Sequence, residues 1–344
     1  MKALVKEKLG YNNLEVIEVE EPKINEDQIK IKVKAAGVCG SDIHTFEGEY
    51  EVAAPLTLGH EFSGEIVEIG ENVEEFEIGD RVTSETTFYV CGECRYCKSK
   101  DYNLCPHRKG LGSQQNGGFA KYVVAKKESV HKLPENVDCI SGSLTEPLAC
   151  AYHAAMEKAS LKEGDLVVVL GPGPIGLFTA QVAMSAGTEV LIAGLDQDQG
   201  RLKKADELGI SRTVNLQKED INEIVEDITD GYGANVVFEC SGAVPALNMG
   251  LDLLKKKGEY IQIGIFSDKK VTVDFEKIVQ KELKVIGSRS QKPSSWEPSL
   301  ELMNSGQVKA KELVTHEYTI DEWDKAYDVI KSSEAIKVVL KPLD

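Results

Sequence analysis

The chain has 344 residues, 42% hydrophobic and 28% charged, an ordinary globular composition at a length that favours two domains. Its 57 acidic against 40 basic residues give a formal net charge of −17, which argues against nucleic acid and anionic membranes as partners but leaves room for an anionic cofactor held by local N–H groups. No apolar run approaches the roughly 20 residues of a membrane span, and Met1-Lys2-Ala3-Leu4-Val5 opens into a strand-like pattern without the apolar region of a secretory signal, so a cytoplasmic location is expected.

The first 40 residues read as strands with short turns. Gln28-Ile29-Lys30-Ile31-Lys32-Val33-Lys34-Ala35 alternates polar and apolar with period two, as a half-exposed antiparallel strand should. Residues 65–69 and 81–83 continue the β character, with Gly70 and Gly79-Asp80 as turns. Residues 86–120 lack periodicity and are rich in Cys, Gly and Asn, which predicts a metal-pinned loop, and 122–125 return to strand. The character changes at Thr145-Glu146-Pro147, where Pro147 suits the first turn of an alanine-rich helix over 148–159. Strands then alternate with helices: strands at 166–170, 190–193, 212–215, 236–239, 260–263 and 283–287, with helices such as 199–208 and 221–228 between them. That alternation predicts a doubly wound parallel sheet, so the class is α/β. After 287 the pattern breaks at Pro293, Pro298 and serine-rich turns, and a last strand is expected at 337–340. No internal repeat or low-complexity segment is present.

The strand at 166–170 runs into Gly171-Pro172-Gly173-Pro174-Ile175-Gly176 and then a helix. Glycine-rich turns are common, but strand–turn–helix is the context a dinucleotide-binding loop requires. The glycines allow a sharp turn and close approach, and the helix start offers N–H groups and a positive dipole end to a pyrophosphate. Gly171, Gly173, Pro174, Ile175 and Gly176 are therefore cofactor-binding candidates.

Four of the eight cysteines fall in Cys91, Cys94, Cys97 and Cys105, a C-x2-C-x2-C-x7-C pattern. Four thiolates so close can enclose a tetrahedral zinc with no position left for water, a structural site that fixes a loop without a core of its own. An iron–sulfur cluster is the rival, with Pro106 after Cys105 leaving room for it. A second set is looser: Cys39-Gly40-Ser41-Asp42-Ile43-His44, Gly59-His60-Glu61, and Glu146 at the domain change. Cys, His and carboxylate are all zinc donors, and three of them with an exchangeable water make a catalytic site. Spacing alone is weak here, since a lone His beside Gly is usually structural and Glu146 alone would be an acid favoured by a helix start.

Over essentially its whole length the chain resembles the zinc-dependent medium-chain alcohol dehydrogenases. The resemblance is carried by the motifs at 37–44 and 59–64, Gly79-Asp80-Arg81-Val82, the four-cysteine loop and the glycine loop. Glu146-Pro147-Leu148 resembles the polyol (sorbitol-like) and threonine dehydrogenase branch, where classical members carry a zinc-binding Cys; Cys150, four residues on, reads as a helix residue. The resemblance implies a GroES-like, mostly-β catalytic domain at 1–150, to which 290–344 returns, and a Rossmann domain at 151–289. It implies that Cys39 and His60 bind a catalytic zinc with Glu61 and Glu146 as bound or exchanging carboxylates, and that Cys91, Cys94, Cys97 and Cys105 hold a second, structural zinc. Relatives are homodimers or homotetramers joined edge to edge, which makes 283–287 the candidate edge strand.

Bound zinc lowers the pKa of coordinated water from about 16 to roughly 7, and an alcohol should respond similarly. The resemblance supports a relay in which Ser41 accepts the hydroxyl proton and His44 passes it to solvent. Phe46, Tyr50, Phe119 and Arg289 are weak substrate-pocket candidates, since an aromatic in a β domain is more often core. Asp196 stands 20 residues after Gly176, the spacing of an acid that binds the ribose 2′-hydroxyl of NAD. Gly194 occupies the strand tip instead, leaving room for a 2′-phosphate that Arg201 or Lys204 would reach; Asp196 and Asp198 would repel it, which favours NAD slightly over NADP. The expected activity is hydride transfer between a secondary alcohol, a polyol or sugar alcohol, and a nicotinamide, giving a ketone. Threonine or another amino alcohol or diol is the enzymatic alternative, and a non-catalytic dinucleotide sensor the alternative of another class.

Overall fold

The period-two pattern of Gln28–Gly37 lies inside a mostly antiparallel sheet in the computed structural model, which describes residues 1–267 and 270–343. The strand order is Val130–Lys132, Arg81–Ser84, Glu61–Ile69, Gln28–Gly37, Lys337–Lys341 and Val314–Thr319, with Tyr122–Lys126 also paired to Gln28–Gly37. Alternate residues of these strands, among them Ile29, Ile31, Phe62, Ile66, Val82 and Val123, form one apolar core with Trp323 and Leu340. The last strand lies antiparallel to Gln28–Gly37, with Val339 opposite Gly37. This sheet belongs to a unit made of Met1–Pro147, Lys292–Ser305 and the chain from Ala310 on.

The second unit comprises Leu148–Gln291 and Gly306–Lys309. Its six strands are all parallel, in the order Arg212–Asn215, Glu189–Gly194, Leu166–Leu170, Ala234–Glu239, Leu254–Gln262, Lys284–Gly287. Numbered along the chain this is 3-2-1-4-5-6, the doubly wound order that places a ligand crevice at the carboxyl ends of the first and fourth strands. Every residue of Leu166–Leu170 is buried, as the unbroken β-branched run requires of a central strand.

Local structure departs from the sequence expectations in two places. The alanine-rich helix is regular over Thr145–Tyr152 and then widens into a π-helical stretch over His153–Lys158, with His153 Nδ1 2.6 Å from Glu157 Oε2. After 287, where only a closing strand was expected, helices Trp296–Asn304 and Trp323–Lys331 and strand Val314–Thr319 appear. Their signal was present in Trp323, Ala326 and Ile330, spaced to share one helix face, but serine-rich turns interrupt the pattern.

Candidate active site and metal centres

Cys39 is the N-cap of helix Gly40–Glu47, so the turn out of Gln28–Gly37 fixes its thiol. His60 follows Gly59, whose φ of +87° and ring contact make glycine necessary: a Cβ there would strike Phe119. Glu61 opens the strand Glu61–Ile69, opposite Gly37. These three elements bring ligand atoms of Cys39, His60 and Glu61 within 4.8 Å of one another. The donors are a thiolate, an imidazole and a carboxylate, the donor chemistry a catalytic zinc takes, with the third protein ligand to come from Glu61 or from Glu146. The residues present fit that ion.

The surroundings are strongly electrostatic. Asp42 is 2% exposed; its Oδ2 accepts the Cys39 N–H at 2.9 Å, and its Oδ1 lies 3.8 Å from His60 Nδ1. At that separation the two attract electrostatically without a hydrogen bond. Burial opposes a charged His60, but its hydrogen bond with Cys39 and the charges of Asp42 and Glu146 outweigh it and hold the imidazole well above its ordinary pKa. Burial, helped by the charge of Glu61, raises Asp42 against the opposing pull of His60, the Cys39 N–H and Lys337. Glu146, 7% exposed on helix Thr145–Tyr152, stands outside the trio yet acts on the charges of both His60 and Lys337. Sequence reasoning missed Lys337, whose ammonium lies 2.7 Å from Glu61 Oε1 and 2.6 Å from Oε2. No sequence signal marks a lysine 276 positions away from its partner.

Ser41 and His44 lie three residues apart on helix Gly40–Glu47, hence on one face. Ser41 is half-buried, and His44 is 58% exposed with Nδ1 2.7 Å from Glu49 Oε2. The pocket aromatics divide differently. Phe46 packs against Tyr11, Trp323 and Tyr327, and Phe119 is fully buried, so both are core residues. Tyr50 and Arg289 are exposed.

In the four-cysteine loop Sγ separations are 3.8 Å for Cys91–Cys97, 3.5 Å for Cys94–Cys97 and 3.7 Å for Cys91–Cys105. Tetrahedral zinc with bonds of about 2.3 Å sets its sulfurs roughly 3.8 Å apart. The pocket is sized for one ion rather than a multi-iron cluster. Backbone N–H groups of Cys94 and Glu93 draw the Cys91 thiol down to about 6, and burial pushes Cys97 up to about 12.

The glycine loop joins Leu166–Leu170 to helix Pro174–Ser185. Gly171 has φ +102°, and a Cβ there would meet Ser241 at 2.9 Å, whereas nothing lies within 4 Å of the Cβ position at Gly173, which caps the helix. Pro174 and Ile175 open that helix, and a Cβ on Gly176 would strike the Gly171 carbonyl. That open space before a helix N-terminus fits a dinucleotide phosphate. Glu239, 0% exposed and unremarked in the sequence, braces the neighbouring turn by accepting N–H bonds from Ser241 at 2.8 Å and Gly242 at 3.0 Å. Gly194 ends its strand, and a Cβ there would press on Pro172 at 2.8 Å and Asp198 at 3.1 Å. Packing therefore accounts for that glycine. Asp196 is held by Asn215 Nδ2 at 2.8 Å and Lys218 Nζ at 2.9 Å, and Arg201 pairs with Asp198 at 3.1 Å.

Comparison with known proteins agrees with both halves of this geometry. Residues 25–135 match the alcohol dehydrogenase GroES-like domain family, and residues 174–305 match the zinc-binding dehydrogenase family. The chain is 63% identical over 344 residues to a sorbitol dehydrogenase of Halalkalibacterium halodurans, covering 100% of both chains. It is 47% identical to a D-arabitol-phosphate dehydrogenase of Enterococcus avium, over 99% of this chain and 97% of that one. A zinc-binding dehydrogenase structure from Sinorhizobium meliloti 1021, bound to NADP, superposes with a TM-score of 0.89 at 31% identity, over 99% of each chain.

Proposed function

The chain belongs to the zinc-dependent medium-chain alcohol dehydrogenases, and from that membership we propose that it interconverts a polyol or sugar alcohol and the corresponding ketose. The observation that carries the reading is the set of half-buried Cys39 and His60 with buried Glu61, beside a helix that bears Ser41 and His44. Relatives named sorbitol dehydrogenase and D-arabitol-phosphate dehydrogenase, at 63% and 47% identity, support a polyhydroxylated substrate.

Cys39 and His60 hold the catalytic zinc, with Glu61 and Glu146 as its neighbouring carboxylates. A zinc bound there would supply the Lewis acidity that makes the alcohol hydroxyl acidic, and a bound nicotinamide would supply the hydride acceptor. Ser41 Oγ accepts the hydroxyl proton, and His44, exposed at the far end of the same helix, delivers it to water. The Asp42 carboxylate, 3.8 Å from His60 Nδ1, offsets positive charge at that ring. Cys91, Cys94, Cys97 and Cys105 hold a second, structural zinc.

NAD is the cofactor we favour. Asp196 ends the second strand turn as an acceptor for a ribose 2′-hydroxyl. Arg201 and Lys204, the cations that a 2′-phosphate would call on, are paired with Asp198 and Glu207. We also propose a homodimer or homotetramer joined through the open strand Lys284–Gly287. None of the eight cysteines is in a disulfide, which suits a reducing cytoplasm.

The test is turnover of polyols, a polyol phosphate, 2,3-butanediol and threonine with NAD and with NADP, on zinc-loaded and zinc-stripped protein. Unphosphorylated polyols with NAD should give the highest kcat/KM, and activity should vanish on stripping. Threonine as the best substrate, or full activity without zinc, rejects the reading; a higher efficiency with NADP rejects the cofactor assignment alone.

A further inference from the structure

The Glu61–Lys337 pair is nearly sealed from water, with side chains 1% and 3% exposed. Lysine is almost never buried this deeply without a partner. Lys337 has more than one: its ammonium meets both Glu61 oxygens and donates to the Val38 carbonyl at 2.8 Å. The fold makes a space for this arrangement. Lys337 begins the strand that returns beside Gln28–Gly37, and Gly37 carries no Cβ, which would overlap the Glu61 carboxylate and stand 3.1 Å from Lys337 Cε. Alanine at 37 would therefore push the pair apart.

An oxygen of the same carboxylate belongs to the set with Cys39 and His60. A metal and the Lys337 ammonium thus compete for one group. Charge favours keeping them separate. Thiolate Cys39, Glu61 and Glu146 around a dication would give a net negative centre of low Lewis acidity, and Lys337 cancels one of those charges.

We propose that Lys337 is a positioning residue that holds Glu61 off the catalytic metal, so that a coordination position stays open for the substrate alcohol. The proposal rests on the reading of Cys39 and His60 as ligands of that metal. Without the ammonium, Glu61 is a buried anion whose nearest remaining cation is the metal. It then becomes a ligand, metal is held more tightly, and the position for alcohol closes. A merely structural lysine would act in the opposite direction on metal retention.

The experiment is chelator-driven zinc release from full-length protein, read by a zinc indicator and normalised to the catalytic zinc, alongside kcat and KM. K337M is expected to slow release of that zinc by about 10-fold and to lower kcat by about 10- to 100-fold. K337R, which keeps the charge, is expected to stay near wild type in both. In K337M/E61Q no anion is left to close on the metal, so release should return at least to the wild-type rate; loss of both charges together also keeps this variant foldable if K337M alone is not. In cobalt-substituted protein, the visible spectrum should respond to added polyol in wild type and K337R and be unresponsive in K337M. Zinc release from folded K337M as fast as from wild type, or slower release from K337M/E61Q than from wild type, overturns the proposal. Wild type that remains active after losing its zinc overturns the functional reading instead.

Discussion

His131 shows how one residue can carry a measurable share of stability. Its Nδ1 lies 2.7 Å from Glu297 Oε1, its Nε2 3.2 Å from Glu85 Oε1, and its ring stacks on Trp296 at 5.3 Å. With a carboxylate at each nitrogen the ring donates twice, as only imidazolium can. Burial works against the charge, but the bonds to Glu297 and Glu85 prevail and raise the pKa from 6.5 to about 9. Because the folded value lies above the unfolded one, the stabilisation is complete below pH 6.5 and disappears as pH rises through about 9. Thermal unfolding from pH 6 to 10 should therefore show wild type losing about 2 kcal/mol more than His131→Asn across that window, after allowance for screening at exposed Glu297. Parallel pH curves for the two proteins would refute the clamp. The residue scale is also where the sequence was least informative. Gly194 looks like space for a phosphate until its neighbours Pro172 and Asp198 are known, and Lys337 and Glu239 announce themselves through partners brought in by the fold, Glu61 for the first and Gln262, whose Nε2 donates to it at 2.6 Å, for the second.

At the scale of elements, local spacing carried most of the information. The glycine loop, the cysteine loop and the 37–44 motif each encode their geometry within about fifteen residues or fewer, and each forms a compact local structure. The central strands Leu166–Leu170 and Glu189–Gly194 were legible for the same reason, since buried apolar runs need no partner to be recognised, whereas the lysine-rich start of Leu254–Gln262 hid six residues of that strand. The carboxy-terminal strands and helices were not, because their apolar faces make sense only against Gln28–Gly37 and its core. The cysteine loop gives a clean test of this local logic. Between Cys91 and Cys105 lie only the short helices Arg95–Lys98 and Tyr102–Leu104, too little apolar surface to hold a conformation unaided. Removal of its metal should open trypsin cleavage at Arg95, Lys98 and Lys100 while the sheet signal in circular dichroism persists. Equal resistance of metal-free and metal-loaded protein would show that the loop is fixed by something other than the ion.

For the whole molecule, the open edge of the parallel sheet sets the outstanding question of assembly. Strand Lys284–Gly287 has one neighbour, Leu254–Gln262, among the described residues, and its other side presents unpaired backbone groups. Val285 on this strand is 50% exposed, and the preceding helix exposes Phe275 at 68% and Val279 at 61%. Charge blunts most edge strands, yet here apolar side chains crowd one end of the sheet, on a protein whose net charge of −17 otherwise keeps copies apart. A two-fold axis through this edge would pair the strand with its own copy and continue the sheet, satisfying the backbone and covering the valines and Phe275 together. A Val285→Lys, Phe275→Asp double substitution should then halve the mass found by light scattering, or reduce a tetramer to dimers. Stability of the parallel sheet should change little, because neither side chain is in its core. An unaltered mass in the double variant, or a monomeric wild type, would place the apolar edge outside any self-association.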